Sequence, residues 1–576
     1  MFLSELYKYK KRMEADAASG MTPEGYSEEN ISFVLRIKPD GRLLDCISLL
    51  SDKGKARRMQ VPAAVKRTVG IEPNFLWDNT GYVLGVDGKG KDERTAKTFA
   101  AFQDRHRKAA ERSGNARIRA VSVFLDAWDP KAFTDLPDHE LMLDANLVFR
   151  IEGDSCYVHE APDVREAWLK LRAEDEAVTR GVCLITGKEG VISAVHPAVK
   201  GVPGAQSAGA ALVSFNCEAF TSYGKEQSLN APVSSEAAEA YTSALNYLLR
   251  RDNHHVIQFG DASVIFWAEN PGPAENFMYT LAGMNALEED PPAEDGETVK
   301  LVRAALDALK RGKAVREVLA ELGPEQPFFV LGLAPNQARL VIRLWEQSSF
   351  GDMVERILRF RRELEMEREF PTQPKWPDFW QLMKEIAPQG KMENLPKNLG
   401  GGLVRAVFSN LPYPRNFYSA VIGRIRADKR VGYLRAALLK ACLIRNFKHE
   451  DMPVTLDSSR KDAPYLLGRL FSLLEKNQRD ALGQLNANLA DRYLAAASAT
   501  PGMVFPRLLR LSTFHARTAR SKAGVPTTAA LKTMAAVMDD IHDFPARLSI
   551  VEQGVFFLGY QQQTNANYQK KEQEQA

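Results

Sequence analysis

Cysteine and histidine are both scarce, with five and nine copies in 576 residues. Cys46, Cys156, Cys183, Cys217 and Cys442 lie far apart, with no Cys-x-x-Cys pair and no histidine at ligand spacing. Structural zinc and a disulfide framework are therefore not expected, and reduced thiols in a cytoplasmic protein are. Net charge is scarce too. The 76 Lys and Arg residues face 73 Asp and Glu, a formal +3, so any polyanion must be bound by local clustering. Long apolar runs are missing as well. The uncharged stretch 201–217 contains Gly, Pro, Gln, Ser and Asn, which argues against a membrane span. The opening "MFLSELYKYKKRM" has too short an apolar stretch for a signal peptide.

What is present suits a globular chain of roughly two to four domains, since 45% hydrophobic content can bury ordinary cores. Ile31, Phe33, Leu35 and Ile37 alternate before the turn "KPDG", and "RLLDCISLL" follows, which reads as a β-hairpin. "GYVLGV" reads as a strand, leading through "DGKG" into a charged helix from about Arg94 to Arg112. Ala237, Ala240, Tyr241, Ala244, Leu245 and Leu248 fall on one helix face. "ASVIFWA" reads as a strand, the acidic "LEEDPPAEDGE" as a solvated loop, and "FFVLGL" with "ARLVIRLW" as a second hairpin.

From about Pro377 helical patterns take over. Asp462 and Pro464 mark a helix start, followed by the stripe Leu466, Leu467, Leu470, Phe471 and Leu474. The polar tail from Gln561 is expected to fray. The fold class is α+β: a mixed α/β N-terminal region with β-hairpins, followed by a C-terminal α-helical bundle. The expected divisions are 1–286, 287–376 and 377–576.

Three windows concentrate positive charge. The first carries Lys53, Lys55, Arg57, Arg58, Lys66 and Arg67 without an acid. The second, 403–448, holds Arg405, Arg415, Arg424, Arg426, Lys429, Arg430, Arg435, Lys440, Arg445 and Lys448 around the single acid Asp428. The third, 505–532, holds Arg507, Arg510, Arg517, Arg520, Lys522 and Lys532. One basic face is usually just solvated, but three acid-poor clusters in a nearly neutral chain point to nucleic-acid phosphates. Phe75, Trp77 and Tyr82 in "NFLWDNTGY" are read as core residues around a turn at Asp78, Asn79 and Gly81.

Catalytic motifs mostly fail. Gly85, Gly90 and Lys91 have phosphate-loop spacing, but Asp92 stands where a magnesium-binding hydroxyl belongs, so a turn is expected. His542 and Asp543 lack the further histidines of a metal phosphohydrolase and are read as helix surface. The neighbours His254 and His255 diverge on any regular element and are poor chelators. No nucleophile elbow is evident. No catalytic residue, cofactor or metal is expected.

The blocks "ISFVLRIKPDGRLLD", "VPAAVKRTVGIEPNFLWDNTGYVLG", "GAQSAGAALVSFNCEAFTSYGKEQSLNAPVSSEAAEAYTSALNYLL", "FFVLGLAPNQARLVIRLW", "YLLGRLFSLLEKNQ" and "VEQGVFFLGYQQQ" occur in order over nearly the whole chain. In them the sequence resembles the large subunit of the type I-C CRISPR Cascade complex. The resemblance implies a non-enzymatic subunit of an RNA-guided antiviral surveillance complex. It implies reading of a protospacer-adjacent motif in double-stranded target DNA, help in duplex opening and R-loop stabilisation, and presentation of the displaced strand to a helicase-nuclease. Its implied partners are the CRISPR guide RNA and the backbone, handle-binding and small subunits, with no membrane.

On that reading Lys53, Lys55, Arg57, Arg58, Lys66, Arg67, Lys200 and Lys225 are candidates for the DNA backbone, and Asn74, Asn79, Gln206, Asn216, Gln227 and Asn230 for motif reading, with Tyr223 in the same polar block. Arg424, Arg426, Arg430, Arg435 and Arg507 are candidates for the displaced strand or guide RNA. The family also produces a separate small subunit from an internal start, for which Met452 is the candidate. The competing readings are a metal- or nucleotide-dependent nucleic-acid enzyme built on residues 85–92 or the His542 region, and a purely structural guide-RNA scaffold.

Overall fold

The computed structural model describes all residues except 15–18, 66, 68–69, 91, 176–178, 271, 284–303, 306, 310, 376, 484, 524–527 and 576. The expected acidic loop after Ala286 lies outside the described residues. Two compact units result, Met1–Lys200 with Ser207–Tyr247, and Gly201–Gln206 with Leu248–Ala576.

In the first unit the predicted hairpin is β2 (Phe33–Ile37) paired with β3 (Leu43–Ser48), after β1 (Tyr26–Ile31). β4 (Arg57–Pro62) pairs antiparallel with β1 as a separate two-stranded ribbon. β5 (Trp77–Asn79) and β6 (Asn146–Ile151) complete a four-stranded sheet of order β3-β2-β6-β5, in which only β2 and β6 run parallel. A small hairpin of β7 (Arg180–Val182) and β8 (Glu189–Val191) follows.

The period-2 alternation decides which face each residue takes. Phe33, Leu35, Ile37, Leu147, Phe149 and Ile151 pack with Phe99, Phe102, Ile118, Val121 and Phe124. The last five come from the helices Asp92–Ser113 and Ala116–Ala127. Val34 and Val148, one residue out of phase, join Ile31, Met59, Val61 and Trp77 in a second cluster under the ribbon. The sheet is thus buried on both faces, and the ribbon's other side is left for charge.

"GYVLGV" is not a strand. Thr80–Val83 is a single helical turn capped by Asn79, whose side chain accepts from the Tyr82 N–H, and Gly85 turns the chain at φ 73°. A cap satisfies the helical N–H groups that a strand ladder would otherwise pair.

Between β4 and β5 the chain is held by buried aromatic and imidazole groups. Phe75 stacks between His106 at 5.5 Å and Trp168 at 4.8 Å. His106 donates from Nδ1 to the Phe102 carbonyl and accepts from the Leu76 N–H at Nε2, which fixes one neutral tautomer and holds Leu76 at φ 60°. Burial pushes His106 down to about 3. A free histidine takes up its proton near 6.5, so as pH falls from that value towards 3 the unfolded chain gains a proton that the folded chain refuses. Stability is therefore lost as pH falls through this window, at about 1.4 kcal/mol per pH unit from this group. Denaturant midpoints at stepped pH should show that slope shrinking in His106→Gln.

In the second unit β9 (Val256–Phe259), β10 (Ala262–Ala268), β11 (Pro327–Asn336) and β12 (Arg339–Ser349) form an antiparallel sheet of order β12-β11-β10-β9. Among the described residues every regular element after Ser349 is helical, as expected for the C-terminal bundle. Sheet and bundle share one core, running from Phe259, Phe266 and Phe328 through Phe360, Leu438 and Leu470 to Phe556. Leu466, Leu467, Leu470, Phe471 and Leu474 are all buried along the helix Ala463–Leu482, whose N-cap is Asp462. Met452 is also buried, at the head of the loop leading to it.

The expectation of a frayed tail from Gln561 fails. The helix Ile550–Gln575 carries Gln561, Gln562, Gln563 and Asn565 fully into the bundle. Each amide finds a partner. Gln562 accepts from the Tyr465 hydroxyl at 2.5 Å and donates to the Pro453 carbonyl at 2.8 Å, Gln563 accepts from Arg469 at 3.1 Å, and Asn565 donates to the Glu367 carbonyl at 3.0 Å. A satisfied buried amide costs little, whereas its sequence signature is that of a solvated tail. Gly468 and Gly559 make the helix pair possible, because a Cβ on either would lie within 2.3 Å of the facing backbone.

Candidate nucleic-acid interface

Lys53 and Lys55 stand on a tight turn closed by Ser51 N–H to the Lys55 carbonyl at 2.9 Å, with Gly54 at φ 68°. The turn feeds β4, where Met59 and Val61 point into the core and Arg57 and Arg58 remain exposed. Arg58 pairs with Glu28 of the neighbouring strand at 3.2 Å. Among the described residues no carboxylate pairs with Lys53, Lys55 or Arg57. Lys66 lies outside the described residues.

Arg67 is exposed but engaged by its neighbours. It pairs with Asp78, donates to the Glu72 carbonyl at 2.7 Å and lies 4.0 Å from the Tyr82 ring centroid. Asp78 is almost fully buried and also accepts the N–H groups of Asn74 and Asn79, each at 2.8 Å. Burial raises its pKa against the opposing pull of Arg67. Asn74 is itself buried, with Oδ1 accepting the Val65 N–H at 2.9 Å. Asn74, Asp78 and Asn79 thus build the turn, and Phe75, Trp77 and Tyr82 lie in the core as read from the sequence.

The polar block is divided between the units. Gln206 is exposed and belongs to the second unit. In the first, Lys200 pairs with Glu29 at 2.8 Å, while Asn216, Lys225 and Gln227 are exposed. Asn230 staples the loop by accepting from the Ser222 N–H at 2.8 Å and donating to the carbonyls of Lys225 and Gln227, both at 2.9 Å. Tyr223, at the tip of that loop, is 97% exposed.

The basic window 403–448 separates into two populations. Arg405, Arg415, Lys429, Arg430 and Lys448 are exposed. Arg435 is buried on Asp428 at 2.5 Å and Glu385 at 3.1 Å, Arg445 is buried on Glu363 at 2.8 Å, and Lys440 is buried against backbone carbonyls. Arg424 pairs with Asp428, and Arg426 donates to Gln553. Of the five named arginines, Arg430 and Arg507 are the exposed ones, and Arg507 lies 5.7 Å from the Tyr493 ring centroid.

On the helix Pro501–Ala523, Met503, Arg507, Arg510, Phe514 and Arg517 are all exposed. Their spacing of four, three, four and three residues puts them along one face. Sequence reading gathered these arginines by charge alone and passed over Met503 and Phe514, which the same heptad count would have found.

The alternative catalytic positions take other roles. The stretch after Gly85 is a turn in which Asp87 accepts from the Lys89 N–H at 2.8 Å and from Thr95, and Lys91 lies outside the described residues. His542 and Asp543 are exposed in a non-helical loop, not on the helix surface expected, because the preceding helix ends at Asp539. His255 bonds the Phe266 carbonyl at 3.2 Å and His254 stacks on Tyr279 at 4.7 Å. Among the described residues no helix is long and apolar enough to cross a membrane.

No curated protein matches the chain. A family model described as CRISPR-associated protein (Cas_Csd1) matches residues 6–568, the span over which the large-subunit resemblance was read. The chain belongs to this CRISPR-associated family.

Proposed function

We propose that this chain is the non-enzymatic large subunit of a type I-C RNA-guided surveillance complex. In this reading it recognises a short flanking motif in double-stranded DNA, aids duplex opening and R-loop stabilisation, and supports recruitment of a helicase-nuclease. Guide–target pairing reads the long sequence, leaving the protein the motif and the backbone.

The observation that carries the reading is the turn and strand bearing Lys53, Lys55 and Arg57, three exposed cations without a carboxylate partner among the described residues, fixed on a ribbon whose opposite side is core. Positive charge that neutralises no carboxylate is available to phosphate. Arg58 adds to it at the cost of its Glu28 contact. Gln206 and Gln227 are exposed amides suited to base edges, whereas Asn74, Asn79 and Asn230 hold backbone. Arg430 and Arg507 remain for a single strand or the guide.

The test is binding of the guide-loaded complex, with and without this subunit, to duplexes that differ only in the flanking motif, at two salt concentrations. A motif-dependent gain that requires the subunit is expected, and Gln206→Ala or Gln227→Ala should lose about 1–3 kcal/mol on the preferred motif only. A motif-independent gain would reduce the role to backbone attraction. No gain would leave a scaffold.

A further inference from the structure

β3 is an edge strand, and among the described residues no strand pairs with its outer side. Its backbone there is open by register. The Leu49 N–H bonds the Ser32 carbonyl at 2.8 Å, so Ile47 and Asp45, two and four residues earlier, turn towards Val34 and Arg36 of β2. Antiparallel pairing alternates, which directs the N–H and C=O groups of Cys46 and Ser48 outward.

Edge strands are ordinarily blunted by unpaired charge, proline or a bulge. β3 has a bulge at its start, where Arg36 faces Asp45 and Ile37 faces Leu43, but no such device from Asp45 to Ser48. The one charge in that stretch, Asp45, is taken up by two hydrogen bonds from Arg36, and Ile47 is left 39% exposed. A stretch of this kind is a template for a further strand.

The surroundings of the edge define the strand it suits. Cys46 Sγ meets Met142 Sδ at 3.7 Å, so the helical turn His139–Met142 adjoins β3. Burial, followed by the charges of Asp45 and Asp138, pushes the Cys46 thiol up to about 12, which puts Asp138 beside the same strand. Leu141 is 62% exposed, and Asp138 and Glu140 are exposed without a cation partner among the described residues. The open edge is thus apolar with an acidic flank. A second copy does not suit it. A two-fold interface sets the same patch on both copies against itself, acid facing acid. A strand about 20 Å long also falls short of the roughly 1,200–2,000 Å² that a stable interface between folded chains buries.

We infer that the outer edge of β3 takes an extended segment of a partner protein as a fifth strand, with an apolar side chain beside Ile47 or Leu141 and lysine or arginine beside Asp138 and Glu140. This stands apart from the DNA-binding reading. Hydrogen exchange over residues 43–48 tests it in the full chain alone, in the guide-loaded complex, and in that complex with the helicase-nuclease added. The Cys46 and Ser48 amides should slow by roughly tenfold or more in one of the two assemblies. Ser48→Pro removes an outward N–H while keeping an extended backbone, and should lose the protection at Cys46 and weaken that partner's binding roughly tenfold. Ser48→Ala, which keeps the N–H, should match wild type. Ile47→Lys, which places a like charge against a basic segment, should reproduce the loss even if Ser48→Pro fails to fold.

Equal exchange in all three samples would overturn the inference. Protection that survives Ile47→Lys and a folded Ser48→Pro would overturn strand addition. Protection of the isolated chain that rises with its own concentration would overturn the partner in favour of a second copy.

Discussion

Replacing Lys53, Lys55 and Arg57 together by alanine should nearly abolish binding of the complex to duplex DNA at moderate salt and flatten what binding remains. Each phosphate contact contributes about 0.9 to the slope of log affinity against log salt, so removing three should lower that slope by about 2.7. Preference among motifs should survive in the residual binding, because phosphate contacts carry no base information. Filter-binding or fluorescence titrations at four salt concentrations measure both quantities. Arg67→Ala is the internal control. Its guanidinium is engaged by Asp78, Glu72 and Tyr82, so its loss should lower stability and leave the salt slope unchanged. Equal slopes for the triple variant and wild type would remove this turn from the DNA interface.

The second large effect is on stability. Arg445→Ala should destabilise the second unit by about 3 kcal/mol, the low end of the cost of breaking a buried pair, because Glu363 loses its buried cation and keeps only the solvent-facing Arg359. Glu363 is 5% exposed and is held by Arg445 Nε at 2.8 Å, the Tyr413 hydroxyl at 2.5 Å and Arg359 Nε at 3.0 Å. Arg445 also donates to the Ala406 carbonyl at 3.0 Å and lies over the Tyr413 ring at 4.4 Å. Burial beside Glu363 raises the pKa of Tyr413 well above its ordinary value, so that hydroxyl stays a donor and cannot supply the missing charge. Chemical denaturation of the full chain measures the loss. A variant within about 1 kcal/mol of wild type would mean that Glu363 reaches solvent or takes up a proton at little cost.

These two expectations concern residues that look alike in sequence. Lys53 and Arg445 both sit in acid-poor windows, yet one faces solvent and the other is a core ion pair. The carboxylates that neutralise Arg58, Lys200 and Arg445 are Glu28, Glu29 and Glu363, each well separated along the chain. A window without acids in sequence is therefore not a region without acids in space. That is why the clusters pointed to a charged interface while individual assignments within them scattered.

Local pattern alone determined the fold class, the hairpins with turns read at residues 38–41 and 334–337, the stripe from Leu466 to Leu474 and the family, since alternation, helical spacing and ordered blocks are properties of neighbouring residues. Tertiary structure alone decided which amides are free. Gln562 and Asn230 are bonded to backbone, Asn74 is enclosed by a turn, and Tyr223 is left bare at a loop tip. The physical reason is that a polar side chain is solvated or satisfied according to the donors and acceptors brought to it by folding, and those come from parts of the chain that no sequence window contains.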